Sequence, residues 1–262
     1  MEGYSALFQK LSRKQKLFAS LVVFACGLFL FSFGGVCGRM SAHKSAARAA
    51  NSSHMPDPRA ERGIKNVEKL LPLARRLTLE SLHALAADYD IKPSEMKVAA
   101  RHIDGVQTVV LDESLGDRAE VDDARLTEIH VGPDYARDLT TDEETMLLLG
   151  HELTHIAASG DNLDAFVEQV AHKAESASGV HPTESQKEDL ACDFIGEQTV
   201  KRLVQSSAPN EEIAARRIAR VFDEDSDESD EGDEEHLSQS ATLKALFSLD
   251  TELRALLHKS AR

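Results

Sequence analysis

The stretch Gly150-His151-Glu152-Leu153-Thr154-His155 has the form His-Glu-x-x-His and closes an apolar run. Residues four apart lie on the same face of a helix, so His151 and His155 can direct two imidazoles at one metal ion. Glu152 would then stand beside the metal, where a carboxylate can act on a bound water. Five residues can match such a pattern by chance, so the surrounding sequence has to support it.

The flanking residues do support a helix with defined ends. Thr141 and Glu144 have the spacing of a capping box, in which a hydroxyl and a carboxylate satisfy the first free N–H groups. Ser159-Gly160 predicts the end of the helix. Leu149 and Leu153 belong to one apolar face, and the two histidines lie off that face. The sequence therefore predicts a metal-binding helix packed on a core.

The composition predicts a mainly helical protein. Of the 262 residues 42% are hydrophobic, with no Trp, and this is enough apolar material for a core. The net charge is −15, but ten acidic residues and no basic one lie between Asp223 and Glu235. The acidity is therefore local, and no surface for nucleic acid is expected. Three scattered cysteines argue against a disulfide framework.

Two β-branched segments predict a small sheet. Val106 to Leu111 and Leu126 to Val131 are each bounded by Gly, Asp or Pro, as short strands commonly are. The predicted fold class is mainly α with a small β-sheet (α+β).

A charge-free segment from Leu17 to Gly38 predicts a single transmembrane anchor. Its length exceeds the roughly 20 residues that span a bilayer, and it is longer than the apolar part of a usual cleaved signal peptide. The basic residues on its two sides nearly balance, and they only weakly favour placing the domain on the extracytoplasmic side. The predicted organisation is a basic segment (1–16), the anchor (17–38), a flexible linker (39–60), the domain that carries the His-Glu-x-x-His motif (61–222), an acidic disordered linker (223–236) and a C-terminal amphipathic helix (237–262).

A third metal ligand is expected downstream, because a catalytic zinc usually has three protein ligands and leaves one position for water. Asp161 lies six residues after His155, as in one known zinc pattern, but that pattern needs a glycine where this chain has Ala158. The favoured candidates lie in the later stretch Glu188-Asp189-Leu190-Ala191-Cys192-Asp193.

This later stretch resembles the second motif of the gluzincins, in particular the HtpX-like and CAAX-prenyl-protease-like membrane metallopeptidases. The resemblance implies a zincin-like fold, with Asp189 as the third zinc ligand and Asp193 orienting a zinc-bound histidine. The chain has Asp where the family has Glu, so the two helices would have to lie closer together. Glu188 remains the alternative ligand, although it lies about 100° around the helix from Asp189.

The resemblance also implies a reaction. One Zn²⁺ ion on His151, His155 and Asp189 would activate a water, and Glu152 would act as general base for hydrolysis of a peptide bond. The segment Leu126 to Val131 would pair with the extended substrate. The resembled families usually have several membrane spans, whereas this chain has one candidate.

The sequence leaves three functions open. The first is a membrane-anchored zinc endopeptidase acting on protein or peptide substrates. The second is a catalytically inactive zincin-fold adaptor for a protein partner. The third is an aminopeptidase or amide hydrolase with the same site. An intact Glu152 favours an enzyme over an adaptor. The remaining candidates, Cys192, His130, His172 and His181, are interpreted as core, surface or structural residues.

Overall fold

The computed structural model describes residues 57–121, 126–222, 232 and 236–260. The predicted anchor, the basic segment before it and most of the acidic stretch lie outside these residues. Within the described part of the chain, no helix is both long enough and apolar enough to cross a membrane.

Helices dominate the described residues, and a three-stranded sheet accompanies them, so the predicted α+β class is confirmed. In chain order the elements are α1 (Pro58–Leu85), α2 (Pro93–Gly105), β1 (Thr108–Leu111), β2 (Ala119–Val121), β3 (Glu128–Val131), α3 (Pro133–Asp138), α4 (Asp142–Ala158), α5 (Asp164–Ser178), α6 (Gln186–Ser207), α7 (Glu211–Val221), α8 (Gln239–Leu249) and α9 (Thr251–Ser260).

Helix α1 begins inside the segment that was predicted to be linker up to residue 60. Asp57 precedes the helix and accepts a hydrogen bond from the backbone N–H of Arg59 at 2.8 Å. Pro58 occupies the first helical position, where its missing N–H costs nothing. The linker prediction is therefore wrong for its last three residues.

The sheet has the strand order β1-β3-β2. β1 pairs with β3 in parallel, and β2 pairs with β3 in antiparallel orientation. Both predicted strands are present in shorter form, and β2 was missed because three residues, Ala119-Glu120-Val121, give too short a pattern. The prediction that Leu126 to Val131 pairs with substrate is wrong, since both edges of β3 are already paired.

The predicted capping box of α4 is confirmed. The hydroxyl of Thr141 accepts from the backbone N–H of Glu144 at 3.2 Å, and the Glu144 carboxylate accepts from the N–H of Thr141 at 2.8 Å. The helix ends at Ala158, next to the predicted Ser159-Gly160 stop. Leu149 and Leu153 are fully buried, so this helix runs through the core of the domain.

Helices α4 and α6 touch through a pair of glycines. A Cβ on Gly150 would lie 2.9 Å from the Cα of Gly196, and a Cβ on Gly196 would lie 3.1 Å from the backbone oxygen of Leu147. Real Cβ atoms essentially never come as close to backbone as the first of these distances, and the second is tighter than nine in ten real contacts, so glycine at both positions suits this helix contact. The two helices that carry both sequence motifs therefore meet at closer range than residues with side chains would permit.

The C-terminal segment forms two helices, so the prediction of one helix over 237–262 is wrong. Asp250 separates α8 from α9, and its carboxylate accepts from the N–H groups of Glu252 and Leu253 at 2.9 and 3.1 Å. This side-chain capping starts a new helix in place of continuing the old one. α8 packs on α5 and α6, with Leu243 and Leu246 buried, so the segment docks on the domain.

A buried charge cluster ties α6 to the start of α9. Lys201 of α6 forms a short contact with Asp250 and a 3.0 Å ion pair with Glu252. Glu197, one turn earlier, is fully buried, and its Oε1 has no hydrogen-bond partner among the described residues. Burial raises the pKa of Glu197 well above its usual value, and the negative charge of Asp250 adds to this rise despite the opposing charge of Lys201.

Glu197→Gln is expected to stabilise the protein at neutral pH. Glu197 ionises above about pH 4.5 in the unfolded chain but only at higher pH in the folded protein, so wild-type stability falls as pH rises from 4.5 towards the folded pKa. A neutral amide avoids this loss and can donate to Asp250. In urea unfolding at pH 7.5, the free energy of unfolding of the variant is expected to exceed that of the wild type by about 1–3 kcal/mol. At pH 4 the difference should nearly vanish, and an equal difference at both pH values would contradict the buried-acid explanation.

Gly150→Ala and Gly196→Ala are expected to destabilise the protein by about 1–3 kcal/mol each, because the added methyl groups push α4 and α6 apart. Gly105→Ala is the matched control, since a Cβ there would meet nothing within 4 Å. Thermal unfolding measures all three variants. Equal melting temperatures for Gly196→Ala and Gly105→Ala would show that the helix contact is not tight.

Candidate metal centre

Helix α4 presents its two histidines to one point. The Nε2 atoms of His151 and His155 are 3.1 Å apart, and the two rings are inclined at 64°. This arrangement follows from the spacing of four residues, which stacks the side chains on one face of the helix. The two imidazoles therefore share one small volume.

Helix α6 adds a carboxylate to the same point. Oδ1 of Asp189 lies 3.3 Å from Nε2 of His151 and 3.8 Å from Nε2 of His155. Asp189 is buried, and the three side chains form a group with all donor atoms within 4.8 Å of one another. The structure thus brings together the three residues that the sequence proposed as metal ligands.

The outer nitrogen of each imidazole faces a second carboxylate. Nδ1 of His151 lies 2.8 Å from Asp193, as the sequence analysis expected for Asp193. Nδ1 of His155 lies 3.1 Å from Glu188. Glu188, the alternative metal ligand, therefore contacts the far side of a histidine. Carboxylate contacts of this kind fix the ring orientation and strengthen a histidine as a ligand.

These contacts determine which nitrogens are free to bind a cation. An ionised carboxylate only accepts hydrogen bonds, so Nδ1 of each ring carries the hydrogen. In the neutral rings both Nε2 lone pairs then point at each other and at the carboxylate of Asp189. Three electron-rich atoms facing one another repel unless a proton or a metal ion lies between them. The site is therefore built around a positive charge.

The distances fit a metal ion of the size of zinc. Ligand bonds of about 2.0–2.1 Å in a tetrahedron place neighbouring ligand atoms about 3.3–3.4 Å apart. The observed separations of 3.1, 3.3 and 3.8 Å lie on both sides of this value. Two imidazole nitrogens and one carboxylate oxygen are also a donor set that zinc accepts.

The electrostatics of the group favour cation binding. Burial opposes ionisation of Asp189, but its hydrogen bonds with His151 and His155 outweigh burial and lower its pKa below the usual range. Burial also opposes the charged form of His151 and so acts to lower its pKa. The hydrogen bonds with Asp189 and Asp193 outweigh burial and raise the pKa well above its usual value. A proton and a metal ion compete for the same nitrogen atoms, so metal binding weakens as the pH falls.

Glu152 and Tyr135 line the same cavity as the three donors, which has a volume of about 780 Å³. Glu152 is only 5% exposed. Burial raises the pKa of its carboxyl group, although the two nearby histidines partly reverse this. Burial likewise raises the pKa of the Tyr135 hydroxyl, which keeps it a proton donor. The cavity thus combines a cation site with an acid–base group and a hydrogen-bond donor.

The other sequence candidates lie outside the donor group. Asp161 is exposed in the turn after α4, with a φ of 62°. Cys192 is buried, and burial raises the pKa of its thiol, which favours the neutral S–H form. His130 pairs with Asp112 at 3.2 Å and His181 with Glu175 at 2.7 Å, while His172 is exposed on α5. Their interpretation as core or surface residues agrees with these positions.

His236 lies at the site and was missed by the sequence analysis. Its Nε2 is 3.6 Å from Oδ1 of Asp189, and the side chain lines the same cavity. The residue follows the acidic stretch and had been assigned to a disordered linker over 223–236. No signal in the sequence could have found it, because it lies 47 positions from Asp189 in a segment without periodicity.

Comparison of this chain with models of protein families, with curated proteins and with solved structures finds no match. The geometry of the site therefore carries the functional argument.

Asp189→Ala is expected to remove metal binding, because Asp189 is the one residue in the described part of the chain that brings a carboxylate to both Nε2 atoms. After equilibration with Zn²⁺ and gel filtration, elemental analysis should give close to one ion per chain for the wild type and less than about a tenth of that for the variant. Glu188→Ala should lower the affinity by about 10- to 100-fold without abolishing binding, since it removes only a support of His155.

Asp161→Ala is the control for both, and it should bind zinc as the wild type does. Loss of zinc in Glu188→Ala together with retention in Asp189→Ala would reverse the assignment of the third ligand.

Proposed function

We propose that this protein is a zinc-dependent peptidase. The observation that carries the proposal is the convergence of His151, His155 and Asp189 on one point beside the buried carboxylate of Glu152. Carboxylates behind both histidines support it, because a purely structural pair of surface histidines has no need for oriented rings. The resemblance of both motifs to gluzincins and to the HtpX-like membrane metallopeptidases points to the same chemistry.

Zinc is the proposed ion because two imidazoles and one carboxylate are the donor set of many catalytic zinc sites. When bound, it would polarise a water molecule and lower its pKa towards about 7. His151, His155 and Asp189 would hold the ion. Asp193 and Glu188 would keep the two rings in the orientation that exposes Nε2.

Glu152 is the proposed general base. Its carboxylate would take a proton from the attacking water and pass it to the leaving amine. Burial raises its pKa, which brings the group closer to the pH at which it has to accept and release a proton. Tyr135 is proposed to donate a hydrogen bond to the substrate carbonyl oxygen as negative charge develops on it.

The edge strand β2 is the proposed binding position for an extended substrate. β2 lies at an edge of the sheet, and all three of its residues line the cavity. A peptide laid along the open edge of β2 would gain backbone hydrogen bonds and lie beside the metal site. This assignment replaces the one made for Leu126 to Val131.

The proposed location follows from the sequence alone. The segment Leu17 to Gly38 would anchor the enzyme in a membrane, with the domain on the extracytoplasmic side. A single anchor suits an enzyme that cleaves proteins at or near the membrane surface.

Glu152→Gln in the full chain tests the function. The amide cannot accept the proton, so hydrolysis of fluorescently labelled unfolded protein should fall by about 100-fold or more, while zinc content stays close to one ion per chain. Asp161→Ala is again the control and should keep wild-type activity.

Two results would count against the peptidase. Equal activity in Glu152→Gln and wild type would remove Glu152 as the base. A zinc-loaded wild type that leaves every unfolded protein offered intact would favour the adaptor.

A further inference from the structure

His236 occupies a position beside the metal site that none of the proposed catalytic steps uses. Its Nε2 lies 3.6 Å from Oδ1 of Asp189, close to the separation expected for two ligands of one zinc ion, about 3.3–3.4 Å. The imidazole is about half exposed and lies on the wall of the same cavity as His151 and His155. His236 lies outside the group of His151, His155 and Asp189, whose donor atoms are all within 4.8 Å of one another, so its imidazole would have to move closer to the two histidines to bind the same ion.

The chain around His236 holds the residue in place. Gln186, in the first turn of α6, donates a hydrogen bond to the backbone oxygen of His236 at 3.1 Å. On the C-terminal side, Leu237 packs against the core, and the Ser238 hydroxyl accepts from the N–H of Ala241 at the start of α8. The position of His236 thus depends on α6, which also carries Asp189, and on the docked helix α8.

Gly232 lies close to the backbone around His236. Gly232 has a φ of +71°, and a Cβ there would lie 2.6 Å from the backbone N of Ser238 and 2.8 Å from the backbone oxygen of His236. Only glycine adopts this conformation easily and tolerates so close an approach. Gly232 therefore lies directly against the backbone of His236 and Ser238.

We propose that His236 is a reversible fourth ligand that closes the metal site in the resting protein. The inference rests on the proposed metal site and concerns its regulation. Zinc sites with four protein ligands are closed, whereas catalytic sites keep one position for water. The imidazole of His236 would occupy the position of the reacting water and leave as a neutral ring, with a water taking its place and no change in oxidation state.

The position of His236 in the fold suits a ligand that dissociates reversibly from the metal. His151, His155 and Asp189 sit on two long helices that pack through the core, while His236 lies outside any helix. The carboxylates of Glu152, Glu188 and Asp193 line the same cavity and favour a cation within it.

The test uses the full-length wild type, His236→Ala and the control His181→Ala, each loaded with Co²⁺ in place of zinc. His181 is exposed and pairs with Glu175, so it offers a matched histidine outside the cavity. Visible absorption of Co²⁺ reports the number and type of ligands. Competition with a chelator gives the affinity for Zn²⁺, and the labelled unfolded protein reports hydrolysis.

His236→Ala is expected to change the Co²⁺ spectrum and to weaken Zn²⁺ binding by about tenfold or more. It is also expected to raise the rate of hydrolysis. His181→Ala should match the wild type in all three measurements. An unchanged spectrum and affinity in His236→Ala, with metal bound in both proteins, would overturn the inference and leave the proposed metal site intact. Failure of the wild type to bind Co²⁺ and Zn²⁺ would overturn both.

Discussion

The close contact of α4 with α6 is the constraint on which the site depends. Gly150 immediately precedes the first histidine, and Gly196 lies two turns after Asp189 on the facing helix. Without Cβ atoms at these positions the helix backbones approach each other directly. An aspartate is one methylene shorter than a glutamate, and the short distance between the helices lets Asp189 reach the two imidazoles. The short side chain of Asp189 and the glycine pair are therefore two parts of one arrangement.

The same helix pair supplies the charges that orient the ligands. Successive acids on α6 serve different atoms of the histidines: Asp189 faces Nε2, while Glu188 and Asp193 face Nδ1. A helix turn of about 100° per residue separates Glu188 from Asp189 and so lets each contact a different nitrogen of His155. The excess of negative charge in this partly buried space favours a cation at its centre.

The C-terminal helices extend this arrangement. Lys201 of α6 pairs with Asp250 and Glu252, so the helix that carries Asp189 also anchors the segment that follows His236. Gln186 at the other end of α6 binds the backbone of His236 itself. One helix thus positions the candidate ligand Asp189, the carboxylates that contact both histidines and the residue proposed to close the site.

The sequence by itself determined the local parts of this protein. Spacing alone places His151 and His155 on one helix face, and Thr141 and Glu144 mark its start, because helix geometry and capping act over a few residues. The α+β class and two of the three strands also follow from local patterns. The second stretch pointed to Asp189 through a resemblance, but the residues could not show whether Asp189 or Glu188 faces the Nε2 atoms of the two histidines.

Only the tertiary structure decided the rest. Four features depend on segments that lie far apart in the chain. They are the short edge strand β2, the separate contacts of Glu188 and Asp189, the break between helices at Asp250 and the approach of His236 to Asp189. Side chains there meet because glycines allow α4 and α6 to touch and because α8 docks on α6. Distances between packed elements are fixed by the volumes of the residues between them, and no periodicity along the chain records those distances.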